Sequence, residues 1–174
     1  MINERDPDKY KYFDYKSEID KAFKRIEKYI IKTPIIKCYY LSKLFDTNIY
    51  IKCEHMQITG SFKLRGAANK IILLKEKGIN SIVTASTGNH GSAVSYICNL
   101  LKVNAHIFIP NNCDIAKKQK IIDYGGELIK IHVNDNPNCE DAELKAFEYA
   151  KKNNLPYISP YNDIDIICGQ GTIS

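Results

Sequence analysis

The chain has 174 residues, 44% of them hydrophobic and 26% charged, with a formal net charge of +5. This is the composition of a soluble globular protein with enough apolar residues for one substantial core. The basic residues are scattered, as in Lys117-Lys118 and Lys151-Lys152, rather than gathered with aromatic spacing, which argues against nucleic-acid binding. No apolar run approaches a membrane span and the polar N-terminus lacks a signal-peptide core, so a cytoplasmic protein without membrane attachment is expected. The six cysteines contain no Cys-x-x-Cys pair, and the four histidines (His55, His90, His106 and His132) are dispersed, so neither a metal site nor a disulfide is expected.

In chain order, Met1 to Lys16 reads as a polar, tyrosine-rich arm. Ser17-Glu-Ile-Asp opens a helix to about Ile30, with Ile19, Phe23, Ile26, Tyr29 and Ile30 on one face, and Thr33-Pro34 stops it. Ile35 to Tyr39 reads as a strand, Leu41 to Phe45 as a helical turn and Ile49 to Cys53 as a strand. A helix then carries Lys63 in its first turn and runs to Lys77, burying Ala67, Ile71 and Leu74 before Gly78 ends it. Beyond this point strands and helices alternate. Strands are predicted at Ser81 to Ala85, Ala105 to Ile109, Glu127 to Val133 and Pro156 to Ser159. Helices are predicted at Asn89 to Leu101, Asp114 to Tyr124 (closed by Gly125-Gly126) and Glu140 to Asn153. Such spacing predicts βαβ units, hence an α/β fold with open parallel sheets and helices on both faces.

Two stretches carry candidate chemistry. Lys63 sits where the positive end of a helix dipole disfavours a cation. That field and any burial lower its pKa toward the free amine, the form that attacks a carbonyl; the competing reading is a solvated surface lysine. Ser86-Thr87-Gly88-Asn89-His90-Gly91 falls between a strand end and a helix start. There small residues and free amides suit a carboxylate or phosphate, or else form a simple capped turn. Gly169-Gln-Gly-Thr172 is too short for a dinucleotide fingerprint. Glu54 and Arg65 flank the lysine segment as supporting or surface residues and are not expected in catalysis.

Lys52-Cys-Glu with Thr59-Gly-Ser-Phe-Lys-Leu-Arg-Gly66-Ala, then Ala85-Ser-Thr-Gly-Asn-His-Gly-Ser-Ala93, then Gly169-Gln-Gly-Thr172 occur in that order. From about Thr33 onward the chain resembles the fold-type II pyridoxal-phosphate enzymes, above all the serine/threonine dehydratases and serine racemases. The resemblance implies a tryptophan-synthase-β-like architecture of two domains. Residues 78–157 would form the small domain, residues 17–77 and 158–174 parts of the large one, and residues 1–16 an arm. It implies Lys63 as the residue that holds pyridoxal 5'-phosphate and moves the substrate's α-proton, Phe62 against the cofactor ring and Asn89 beside its hydroxyl. Ser86, Thr87, Gly88, Asn89 and His90 would form the substrate-carboxylate loop, with His90 a packing or hydrogen-bonding residue rather than a base. The implied substrate is a small hydroxy amino acid, and the implied assembly of the full-length protein is a homo-oligomer, a dimer.

Serine racemases place a serine where this chain has Thr87. The added methyl restricts the rotamers of the hydroxyl, so elimination to a 2-oxo acid and ammonia is expected first and racemisation second. Family members continue past Gly-Gln-Gly-Thr into a glycine-rich phosphate loop, whereas Ser174 would stand in the first turn of a helix. A catalytically inactive truncated fragment acting only by binding is therefore the expectation of another class.

Overall fold

A computed structural model describes residues 12–125, 129–135 and 138–174. The first helix, α1 (Tyr15–Ile26), starts two residues before the expected Ser17, because the Asp14 carboxylate accepts the Ser17 N–H at 3.1 Å and caps it there. It ends in a 3-10 turn at Glu27–Tyr29. Its inner face buries Ala22 and Ile26, whereas Phe23, expected inside, is largely exposed. The residues of the expected arm before Tyr12 lie outside the described residues.

Two short strands, β1 (Ile35–Lys37) and β2 (Tyr50–Lys52), flank α2 (Tyr39–Leu44) and pair antiparallel, with Ile36 opposite Ile51. After a 3-10 turn at Glu54–Met56 comes α3 (Lys63–Glu76), which buries Ala67, Ile71 and Leu74 and is followed by Gly78 at φ +80°. That left-handed backbone is the reason a glycine stands there.

The main sheet is parallel, in the order β3 (Ser81–Ala85), β4 (Asn104–Pro110), β5 (Ile129–Asn134). Crossovers are made by α4 (Asn89–Leu101) and α5 (Ile115–Gly125), and α6 (Cys139–Lys152) follows β5. Successive side chains point to opposite faces, and the burial follows that rule. Ile82, Ala105, Ile107 and Ile109 join the core with α3, α4 and α5, while Val83, Ala85 and Phe108 pack against Ala146 and Ala150 of α6. Each isoleucine removed from water in this way contributes about 1.5–3 kcal/mol. Gly125 is the last residue of α5 rather than a cap beyond it. Gly126 and the expected strand start at Glu127 lie outside the described residues.

The expected strand at Pro156 to Ser159 is reduced to one parallel bridge, Tyr157 beside Val83. Pro156 has no N–H to give, so its carbonyl accepts the Val83 N–H at 2.9 Å and Ile158 donates back to Val83 at 2.8 Å. The Thr84 hydroxyl then donates to the Ile158 carbonyl at 2.8 Å. The bridge stops there.

The last helix, α7 (Ile164–Gly171), crosses α3 at glycines. A Cβ on Gly169 would lie 2.6 Å from the Gly66 Cα, and one on Gly171 would lie 2.5 Å from the Ile19 side chain of α1. Gly169-Gln-Gly171 is thus a helix-packing element, and Ser174 stands after a helix rather than in the first turn of one. The Gly66 N–H donates to Gln170 Oε1 at 3.3 Å. Asp163 caps α7 and pairs with Lys70 of α3 at 2.9 Å, and Asp165 pairs with the same lysine at 2.8 Å.

Arg65 and Glu54 are interior rather than surface groups. Arg65 donates from Nε and Nη2 to the two Glu54 oxygens at 2.9 and 2.8 Å, and from Nη1 to the Thr172 carbonyl at 3.2 Å. Burial works to raise the pKa of Glu54. Hydrogen bonds from Arg65 and Thr33, with the Arg65 charge, outweigh it and hold the carboxyl below its ordinary value. Replacing Glu54 by Gln should cost about 3–5 kcal/mol in urea unfolding, because Arg65 is left buried and unpaired. The depressed pKa puts this stabilisation in full above the ordinary carboxyl value of 4.5. It is lost as pH falls through the lower folded value, so the stability gap between native chain and variant should close only in that acid window.

Candidate functional site

Lys63 is the first residue of α3. The turn before it is shaped by Gly60 at φ +77°, and α5 holds that turn in place. Lys120 Nζ donates to the Thr59 carbonyl at 3.1 Å, and the Tyr124 hydroxyl donates to the Ile58 carbonyl at 3.0 Å. The Lys63 amine is partly buried and donates to the Pro160 carbonyl at 3.3 Å. It lies 4.9 Å from the centre of the Tyr161 ring and 5.2 Å from that of Phe62. No carboxylate among the described residues pairs with it. Burial lowers its pKa from 10.5, which favours the free amine.

Lys63 lines a cleft of about 230 Å³ together with Ser86, Thr87, Gly88, Asn89 and His90. The loop is held by Ser86, whose Oγ accepts the N–H groups of Gly88 at 3.3 Å and Gly91 at 3.0 Å. Gly91 is needed for this closure, since a Cβ there would lie 2.8 Å from the Ser86 carbonyl oxygen. Asn89 begins α4, so the positive end of that helix faces the cleft. His90 is buried and neither ring nitrogen has a hydrogen-bond partner. Burial first, and then the Lys63 charge, pushes its pKa down to about 3. The ring is neutral at physiological pH and packs without hydrogen bonding.

Six of the seven residues expected at the site therefore share one cleft. Phe62 stands beside the lysine rather than in the cleft wall. The opposite side is formed by Phe108 and Pro110 at the end of β4, by Cys139, Ala142 and Glu143 of α6, and by Tyr161. Nothing in the sequence separates Glu143 from its neighbours Glu140 and Glu148. Tyr161 follows a proline in an irregular segment that no periodicity marks.

A family model described as pyridoxal-phosphate dependent enzyme matches residues 26–174. The chain belongs to this pyridoxal-phosphate dependent family. It is 36% identical over 158 residues to a serine racemase of Dictyostelium discoideum, covering 90% of this chain and 48% of that protein. It is 40% identical over 158 residues to a catabolic L-threonine dehydratase of Staphylococcus aureus, covering 90% of this chain and 44% of that protein. The crystal structure of a pyridoxal 5'-phosphate-dependent aspartate racemase superposes with a TM-score of 0.82 at 32% identity, over 90% of this chain and 48% of the other. The architecture is that of the fold-type II enzymes, and the chain spans about half the length of the curated relatives it matches. Among the described residues no helix is long and apolar enough to cross a membrane.

The donor set suits the family's cofactor. An amine whose pKa burial lowers is more readily available as the free base that attacks an aldehyde, and the aromatic rings beside it offer faces to a planar heterocycle. With an amine-acylating reagent and peptide mapping, the pH midpoint of Lys63 labelling should fall below 10.5. A midpoint at or above that value would show that burial does not control the amine.

Proposed function

We propose that the chain serves a pyridoxal-phosphate-dependent ammonia-lyase that converts a hydroxy amino acid, serine or threonine, to a 2-oxo acid and ammonia. The observation that carries this reading is the Lys63 amine, partly buried, without a carboxylate partner among the described residues and lining one cleft with a loop suited to an anion. When bound, pyridoxal phosphate supplies an electron sink for the electrons left at the substrate's α-carbon.

The protein's part is binding and proton movement. Lys63 would hold the cofactor through its amine and, as the free base, would take the α-proton. The Ser86–Asn89 segment and the start of α4 orient the substrate carboxylate, and Asn89 and Phe62 fix the cofactor. Loss of the β-hydroxyl and addition of water at the α-carbon complete the conversion and release ammonia. The buried, neutral His90 flanks the cleft and is assigned no part in proton transfer.

The second reading is serine racemisation, favoured by the likeness to the Dictyostelium enzyme. Thr87 lines the cleft with Lys63, as do Ser86 and Tyr161, and on this reading its hydroxyl would return the proton. Its methyl group limits the rotamers from which it can do so, which places elimination ahead. Residues 78–157 would then act as the small domain over a large domain to which residues 17–77 and 158–174 contribute.

Titration with pyridoxal phosphate followed by borohydride reduction should give a saturable absorbance band and one labelled peptide, containing Lys63. Lys63→Ala should lose both. A band of equal strength in that variant would overturn the lysine assignment. Thr87→Ser should raise D-serine formation relative to pyruvate from L-serine. An unchanged ratio would remove Thr87 from proton return.

A further inference from the structure

The wall of the cleft formed by α6 carries an acid that the proposed chemistry does not use. Cys139, Ala142 and Glu143 are spaced to lie on one face of the helix, and all three line the cleft. Glu143 is the one carboxylate among the lining residues. It is partly buried, and among the described residues no lysine or arginine pairs with it. Burial, and then the neighbouring Glu140, holds its carboxyl above the ordinary range.

Its position relative to the lysine is informative. The shift of Lys63 comes from burial with no contribution from Glu143. Glu143 instead acts on Tyr157, whose hydroxyl is pushed up by burial first and by Glu143 next. Glu143 and Lys63 line the same cleft, Glu143 on the side formed by α6. A partly buried carboxylate that no lysine or arginine among the described residues pairs with gains most from a donor that a ligand brings.

Resting on the function proposed above, we propose that Glu143 reads the side chain of the amino acid in this cleft. It accepts a hydrogen bond from a side-chain hydroxyl or ammonium and rejects a side-chain carboxylate. A second carboxylate brought against Glu143 meets like-charge repulsion, and no lysine or arginine among the described residues pairs with Glu143 to offset it. The same architecture occurs in an aspartate racemase, so the fold alone leaves the charge of the side chain open. In this chain Glu143 decides it.

The test is an equilibrium titration of the chain carrying pyridoxal phosphate with L-serine, L-alanine and L-aspartate, read by cofactor absorbance and by NMR shifts of α6 amides. The native chain should bind serine more tightly than alanine, and aspartate weakest. Glu143→Gln should raise the affinity for aspartate relative to alanine by about tenfold or more. Aspartate binding as tightly as serine in the native chain, or a ratio unmoved in the variant, would overturn the role of Glu143 while alanine binding upheld the amino-acid site. Failure of all three ligands to bind would overturn both.

Discussion

The structure depends on how closely α3 and α7 can cross. At Gly66 and Gly169 the two backbones approach to a distance that admits no side chain. The contact is fastened on either side by the Gln170 amide and by the Lys70 pairs with Asp163 and Asp165. Because α7 follows directly on Ser159-Pro160-Tyr161, this crossing delivers the Pro160 carbonyl and the Tyr161 ring to the Lys63 amine. Arg65, two residues along α3, reaches both the Glu54 carboxylate and the end of α7. The environment of the lysine is thus set by packing made on the far side of its own helix.

Burial disfavours the charged forms of the groups that line the cleft. Burial turns Lys63 toward the free amine, keeps His90 neutral and raises the Glu143 carboxyl. Each shift has desolvation as its largest cause, and each lowers the cost of leaving a group unpaired in a confined space. A zwitterionic ligand therefore brings charge into a site where the fixed dipoles of α4 and the Ser86 loop face little competition.

Much of this was legible in the sequence, and for physical reasons. The bounds of β3 and α4 were readable to the residue, because an apolar run, a glycine-containing turn and a helical period follow one another without ambiguity. The Lys63 segment and the Ser86 loop were marked by small residues at positions where backbone must come close. What could not be read were features that exist only across the chain. Pro156 to Ser159 has strand composition, yet a missing N–H and a competing Thr84 hydroxyl leave one bridge. Gly169-Gln-Gly looks like a loop motif until the partner glycine on α3 is known. Glu54 and Arg65 look like surface residues until each is seen to be the other's counter-ion. Glu143 resembles any acid on a polar helix until α6 is seen to form one side of the cleft.

The bond from Lys63 to Pro160 joins residues 97 apart, and that from Arg65 to Thr172 spans 107. By contrast the pairing of β3, β4 and β5 is made between successive segments of the chain. Closing long loops costs entropy before any contact repays it. The parallel sheet can therefore organise before the reactive lysine acquires its surroundings. The Pro160 and Tyr161 contacts to the amine can form only once that segment has been made. The surroundings of Lys63 are in this sense a late product of folding, completed by the segment that leads into α7.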